Sequence, residues 1–419
     1  MSSIEIAGRR NFLSSLSAAS AALFTNGVLP GAALPGVIGQ SSAGLVQQTG
    51  DEYLFAPGLI YLNTAALGPS PRSVLDRTIE AWHQLESNPV QMAYGEGAVH
   101  LATDRVRERA AAFLGCSPDE LLLTRSTTDA MNTLTLGLRL RPGDRILSTN
   151  HEHEGGEQCW RYLARRHNVV VDVADLPLMD HDPSAIVRRL TAVITPDTRV
   201  ISVSHVLTST GLRMPIEDIA ALARSRGILS VVDGAQAVGQ IDVNVKTLGC
   251  DAYAAPGHKW LMGPKGTGFL YIRREAQADI APLQRAGGDG FVSQTTGMGN
   301  LPAVVGLGAA LERAAARGTA SIQQRILELR GHVYRGMKQI NTLRVVSPQD
   351  GPWASALVAC QLPDGVDSRA FMLRLRDKHG IVVKRVEPRF FNGIRLSAHI
   401  FNTEAEIDRA LNVTREELA

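Results

Sequence analysis

Between residues 119 and 234, five short apolar runs recur with room for one helix between most of them. They are "DELLLT" (119–124), "DRILST" (144–149), "VVVDVA" (169–174), "RVISVSHV" (199–206) and "ILSVVDG" (228–234). Each is too short for a buried helix and is bounded by turn residues, so each reads as a buried strand. The intervening stretches carry helical spacing. "GEQCWRYLARRH" (156–167) and "IEDIAALARSRG" (216–227) are the clearest, the second closed by Gly227 in the C-cap position. Alternation of this kind needs crossover connections, and these give a mostly parallel sheet covered by helices on both faces. No internal repeat or low-complexity block interrupts it.

The last third of the chain changes pattern. "SALVACQL" (355–362), "RAFMLRLRDKHG" (369–380), "GIVVKR" (380–385), "GIRLSAH" (393–399) and "NTEAEIDRAL" (402–411) read strand, helix, strand, strand, helix. Thr403 and Glu406 have capping-box spacing at the last helix. The expectation is a large sheet domain over 68–301, then a linking helical region near 302–340 and a small α+β domain, together 302–419. An N-terminal segment over 44–67 packs with the small domain. A chain of 419 residues is long enough for such a division.

Residues 1–43 stand apart. "MSSIEIAGRRNFLSSLSAASAALF" has a polar start, the pair Arg9-Arg10, then Phe12-Leu13 and an Ala/Ser-rich apolar run. That is the layout of a twin-arginine export signal, with small residues suited to cleavage near Ala33 or Ala43. A frayed tail holding two arginines is the alternative. The expectation is a periplasmic or otherwise exported protein that meets the twin-arginine translocase during export. No other run reaches the roughly 18–20 apolar residues of a membrane span, so no membrane anchor is expected after signal removal. With 43 Lys and Arg against 41 Asp and Glu there is no basic field to attract nucleic acid. A small-molecule substrate fits better. Cys116, Cys159, Cys250 and Cys360 form no CxxC pair, and read as small buried hydrophobes rather than a zinc or disulfide framework.

Open α/β sheets bind ligands beyond the carboxyl ends of their strands, so the residues that follow each run matter most. After "LLLT" come Ser126, Thr127 and Thr128 at a helix start, suited to an anion or to plain capping. After "RILST" comes "NHEHEGGEQCW". His151 and His153 there, with Glu152, Glu154 or Glu157, have a spacing able to hold a metal, although without the HExxH pattern; a histidine stacked on a flat cofactor is the competitor. After "ILSVV" comes Asp233, with Gln236 three residues on. "DAYAAPGHKWLMGPKGTG" (251–268) then places Lys259 after an apolar approach, where a lysine must lose its charge or find a partner. Its "GPKGTG" lacks the order of a nucleotide loop. Anion site, stacking histidine, deep aspartate and enclosed lysine together match the needs of pyridoxal phosphate: phosphate donors, a flat partner, a carboxylate for the ring nitrogen and an amine for the aldehyde.

With these residues in place, the chain resembles the class V aminotransferase-fold enzymes, the superfamily of isopenicillin N epimerases and cysteine desulfurases. The likeness runs from "YLNTAALGPSP" (61–71) to "RLSAHIFNTEAEIDRAL" (395–411), with "VVDGAQAVG" and "GHKWLMGPKGTGFL" the most specific motifs. It implies a fold-type-I pyridoxal-phosphate transferase: a large mixed, mostly parallel sheet domain plus a smaller C-terminal α+β domain. Such enzymes work as homodimers with the site at the subunit interface. It further implies Lys259 as the internal-aldimine lysine, Asp233 as partner of the pyridine nitrogen, Gln236 at the ring hydroxyl and His153 stacked on the ring. Thr127, Thr128 and His258 fall to the phosphate, Ser126 and Gly297 to the cofactor, and Thr208 lies near the ring hydroxyl. Asn63 and Arg395 fall to the substrate, Arg395 as carboxylate clamp. No metal site is implied. Three positions depart from relatives: Pro256 for a phosphate-binding serine, Met298 for a threonine, and Thr208 for an asparagine.

Desulfurases carry a nucleophilic cysteine shortly before the clamp arginine, and "HGIVVKRVEPRFFNGIRLS" holds none. Together with the export signal, the likeness extends to periplasmic enzymes of this fold that modify side chains during pyoverdine maturation. The implied function is a periplasmic enzyme acting on the amino group of a small amino acid or peptide-like metabolite, foremost a transaminase. Epimerisation or C–S/β-elimination uses the same residues. A secreted metal-dependent hydrolase built on His151 and His153 is a remote alternative. Residues 86–97 and 280–300 are expected to line the entrance, with Tyr94 and Arg285 as candidate substrate contacts.

Overall fold

The computed structural model describes residues 52–94, 98–281 and 299–419. The export motif at Arg9-Arg10, together with Arg285, Gly297 and Met298, lies outside them, as does the side chain of Tyr94.

In chain order the elements are β1 (Ile60–Tyr61), α1 (Arg72–Ser87), α2 (Pro89–Tyr94), α3 (Ala98–Leu114), β2 (Leu121–Thr124), α4 (Thr127–Gly137), β3 (Arg145–Thr149), α5 (Glu154–His167) and β4 (Val170–Ala174). Next come α6 (Pro183–Val193), β5 (Thr198–Ser204), α7 (Ile216–Ser225), β6 (Leu229–Asp233), the single-turn α8 (Val245–Leu248), β7 (Ala252–Pro256) and β8 (Gly268–Ile272). The chain ends with α9 (Leu301–Arg317), α10 (Thr319–Lys338), β9 (Arg344–Val345), β10 (Leu357–Gln361), α11 (Ser368–His379), β11 (Ile381–Val382), β12 (Lys384–Arg385), β13 (Gly393–Ser397) and α12 (Glu404–Glu416).

A seven-stranded sheet runs in the order β2-β8-β7-β6-β5-β3-β4. It is parallel from β4 across to β7, while β8 is antiparallel to both neighbours. Successive residues of each central strand feed opposite cores. Val200, Val231, Ala252 and Leu270 pack with Trp160 and Leu134 on one face; Ile201, Val232, Tyr253 and Phe269 pack with Leu307 and Ile219 on the other. Burial on both faces is why these strands read as unbroken apolar runs.

Three local expectations change. "VVVDVA" is an edge strand rather than a buried one, with Val170 36% and Val173 50% exposed. Helix α7 is capped by Arg226, and Gly227 follows in the left-handed region (φ 65°). That is the position where glycine, lacking Cβ, ends a helix without strain. The segment approaching Lys259 is itself a strand, β7, and β8 returns beside it; small alanines suffice there because Ala252 and Ala254 sit under the helices of one face.

The second sheet is antiparallel, in the order β12-β13-β10-β9. "GIVVKR" splits at Val383: β11 pairs in parallel with β1, and β12 pairs with β13. The helical region near 302–340 is two helices broken at Gly318 (φ 81°). At α12 the capping box forms: Thr403 Oγ1 accepts from the Glu406 amide at 3.2 Å, and Glu406 Oε2 accepts from the Thr403 amide at 3.0 Å.

Candidate active site

A cavity of about 290 Å³ opens where the carboxyl ends of β2, β3, β6 and β7 face the second sheet. Its walls bring together Ser126, Thr127, Thr128, His153, Thr208, Asp233, Gln236, His258, Lys259 and Arg395, which are spread over 270 positions of sequence. Asn63 is not among the lining residues. It bridges to Ser397, and its Oδ1 is buried without a hydrogen-bond partner.

The β2 end delivers the start of α4. Ser126 caps it, its Oγ accepting from the Asp129 amide at 3.1 Å, while Asp129 accepts from the Arg125 amide and guanidinium. The first-turn amides of α4 face outward as in any helix, and Thr127 Oγ1 is buried with no partner. The partial positive charge of the helix start and this orphan hydroxyl suit an oxyanion. Gly155 fits closely here, since a Cβ on it would lie 2.7 Å from Thr128 Oγ1.

The β3 end separates the two histidines. His151 is buried, with Nδ1 2.8 Å from Ser209 Oγ and Nε2 2.9 Å from the Leu176 carbonyl, and it stacks on Phe390. His153 turns the other way: its Nδ1 accepts from the Gly155 amide at 3.0 Å, capping α5, and its ring borders the cavity. With both His151 nitrogens engaged, the pairing that the alternative metal reading needs does not assemble. No group of three or more His, Cys, Asp or Glu among the described residues is placed to share an ion. Glu152 is buried between the hydroxyls of Thr149 and Ser204, each 2.6 Å from a carboxylate oxygen.

At the β6 end, Asp233 Oδ1 accepts from the Ala235 amide at 2.8 Å, and Oδ2 accepts from no described residue. Burial pushes its carboxyl upward, opposed by that amide and by the nearby Lys259 and His153. A Cβ on Gly156 would sit 2.6 Å from Oδ2, so only glycine lets α5 pass this close. Gln236 is more committed than expected: Nε2 donates to the Ala65 carbonyl at 3.0 Å, and Oε1 accepts from Trp260 Nε1 at 2.9 Å.

Lys259 stands just past β7. Burial lowers its amine to about 8, against the opposing pull of Asp233 and with help from Arg395 and Lys384. Its Nζ makes no hydrogen bond to the described residues, so the amine is free to react. The backbone around it is fixed instead. The Gly68 amide donates to the His258 carbonyl at 2.9 Å, Trp260 is held by Gln236, and His399 Nε2 lies 2.9 Å from the Trp260 carbonyl. His258 Nδ1 faces the Thr267 carbonyl at 3.1 Å and must carry its proton there, so His258 offers an anion a donor only as imidazolium.

From the second sheet, Arg395 enters 4% exposed. Its Nη1 donates to the Thr208 carbonyl at 2.8 Å and to Thr208 Oγ1 at 2.5 Å, while Nε has no acceptor. Thr208 therefore aims the arginine rather than standing free. Burial lowers the guanidinium to about 10, opposed by Glu387. Sequence reasoning missed Lys384, Arg385, Glu387 and Phe390, which line the same wall. Arg389 ties that wall to α5, donating to Glu157 Oε2 at 2.8 Å, the Glu152 carbonyl at 2.5 Å and Glu387 Oε2 at 3.1 Å. All four cysteines are free thiols, and none lines the cavity.

These donors fit pyridoxal phosphate. Thr127 Oγ1 and the α4 amides await an oxyanion, Asp233 Oδ2 awaits a cation such as a protonated ring nitrogen, and the Lys259 amine awaits an aldehyde. Pro256 lines the cavity without a backbone donor.

Comparison with known proteins points the same way. Residues 60–410 match the family described as Aminotransferase class-V. An isopenicillin N epimerase of Amycolatopsis lactamdurans is 31% identical over 383 residues, covering 86% of this chain and 95% of the relative. A cysteine desulfurase of Pectobacterium atrosepticum is 28% identical over 379 residues, covering 84% and 91%. Among solved structures, the complex of the cystine C–S lyase C-DES with cysteine persulfide superposes with a TM-score of 0.79. It is 24% identical and covers 86% of this chain and 98% of that one, which shows the shared fold.

Proposed function

The chain belongs to the class V aminotransferase family, and on that premise we propose that this pyridoxal-phosphate enzyme is a transaminase of small amino acids or peptide-like amines. The cofactor supplies an aldehyde for the substrate amine and a ring that withdraws the charge left at Cα. Thr127 and Thr128, with the α4 amides, hold its phosphate; Asp233 holds its ring nitrogen; His153 covers the ring. Arg395, steadied by Thr208, takes the substrate carboxylate through its open guanidinium edge. Lys259 moves the proton. An amine near pKa 8 is partly neutral at neutral pH, so Nζ can accept from Cα and return the proton on the same face.

The observation that carries this reading is the Lys259 amine just past β7, unbonded to any described residue and lowered by burial to about 8, with no cysteine lining the cavity. One base serving one face suffices for transamination. Racemising chemistry needs a second donor on the other face. Epimerisation is the second reading, favoured by the 31% identity to an isopenicillin N epimerase. The test is absorbance of the purified protein with a panel of L- and D-amino acids. Conversion of the visible cofactor band to a near-ultraviolet band supports transamination. Product formation with the visible band unchanged refutes it in favour of epimerisation or elimination. We propose further that Arg9-Arg10 directs twin-arginine export and that the enzyme is a homodimer. Retention in the cytoplasm of an Arg9→Lys/Arg10→Lys variant, and sedimentation of the purified protein, test these two points.

A further inference from the structure

Lys384 and Arg395 are directly opposed across the β12–β13 pair, and both line the cavity. Like charges opposite one another in a ladder destabilise it. Here Arg395 is buried, and the charge of each group lies close enough to depress Lys259. Arg385, next along β12, also lines the cavity; its Nε is buried with no acceptor. Neither the Lys384 nor the Arg385 side chain makes a hydrogen bond or ion pair to a described residue. The one nearby carboxylate on this wall, Glu387, is shared with Arg389. With the cofactor phosphate assigned to α4 and one substrate carboxylate to Arg395, Lys384 is left with the nearby charge of Glu387, which Arg389 and His153 also share, and Arg385 with no ion pair among the described residues.

We propose that Lys384 and Arg385 form a second oxyanion subsite, so that the preferred substrates are acidic amino acids: the α-carboxylate on Arg395 and a side-chain carboxylate on the β12 pair. The proposal rests on reading the cavity as an amino-acid site. The pairing suits it. Opposed residues of an antiparallel pair stand side by side on one face of the sheet, so Lys384 and Arg395 reach the cavity as neighbours and can take the two carboxylates of one dicarboxylic amino acid. A second anion on the substrate offsets the charge of Lys384 as the first offsets that of Arg395, so the subsite discriminates against neutral side chains of the same shape.

The test pairs isosteres. Half-saturating concentrations of L-aspartate and L-glutamate are measured on the holoenzyme against those of L-asparagine and L-glutamine, through the change in the cofactor's visible band. In parallel, glutarate and butyrate binding is measured by calorimetry. The expected preference for the dianion is about tenfold, the equivalent of about 1.4 kcal/mol, and it disappears in a Lys384→Gln/Arg385→Gln double variant. A preference under about threefold in the unaltered protein, or one that the double variant retains, overturns the proposal. Calorimetry decides the subsite whether or not a visible band is present. A protein without the band refutes the cofactor reading, whereas a band with no dianion preference refutes the subsite alone.

Discussion

Replacing Glu152 by glutamine should make the protein gain stability with rising pH relative to the unaltered chain. Burial raises the Glu152 carboxyl from its ordinary 4.5 to about 7; the Ser204 and Thr149 hydroxyls oppose the shift, and the charge of Asp233 adds to it. The folded state therefore holds a proton that the unfolded chain releases first. The corresponding stability is complete below pH 4.5 and is lost as pH rises through about 7. A shift of this size is worth about 3 kcal/mol in full, and about 2.5 kcal/mol of it falls between pH 5 and pH 8. Glutamine keeps both contacts: its oxygen can accept from one hydroxyl while its amide donates to the other. It cannot ionise. Urea unfolding, followed by the fluorescence of buried Trp160 and Trp260, gives the stability of both proteins at each pH and at one cofactor concentration. Taking the difference removes His205 and His399, which burial lowers to about 3 and which titrate with the opposite sign. The difference, variant minus unaltered, should move toward the variant by about 2.5 kcal/mol from pH 5 to pH 8. Movement of less than about 1 kcal/mol, or in the other direction, refutes the claim that Glu152 is held protonated beside Asp233.

Three further outcomes follow from named contacts. Gly68→Ala would put a Cβ 1.9 Å from the Lys259 carbonyl oxygen, so the two backbones must part; a loss of about 2–4 kcal/mol is expected, together with loss of cofactor absorbance after dialysis. Arg395→Gln should lower kcat/KM for α-amino acids by about 10- to 100-fold, the worth of a charge-assisted hydrogen bond. Steady-state kinetics with an amine lacking the carboxylate should show a much smaller change. Thr403→Ala removes the α12 cap at the far side of the second sheet and should cost about 1 kcal/mol. Thermal unfolding would show that loss while the turnover number stays the same.

The sheet was largely legible because its central strands are buried on both faces and therefore appear as short apolar runs. Strand order was not. "VVVDVA" has the composition of a core strand, and nothing within it says that β4 has a neighbour on one side only; that depends on where β3 and β5 pair, 50 residues of chain apart. The β7–β8 pair escaped for a different reason. "AYAAP" has too little apolar bulk to register as a strand, yet alanine is the size that helices packed over Ala252 and Ala254 require.

The same distinction divides the site. Residues supplied by strand ends of the large sheet were foreseen, since a polar group that directly follows a buried strand has few places to go except the cleft. Thr127, His153, Asp233 and Lys259 all line the cavity, and what surrounds such residues is less legible. Gln236 is locked between Ala65 and Trp260, and Glu152 is enclosed by two hydroxyls. The opposite wall follows no such rule. Lys384, Arg385 and Glu387 look like ordinary surface charges in "VVKRVEPRF", and become part of the cavity because β12 pairs with β13 and Arg389 reaches across to Glu152 and Glu157. The wall proposed to choose the substrate is thus set by long-range pairing, while the wall proposed to hold the cofactor is set by local chain order. A single fold can therefore keep its cofactor while its substrates change: exchanging charges on β12 alters what Arg395 stands beside without disturbing a residue that follows a strand of the large sheet.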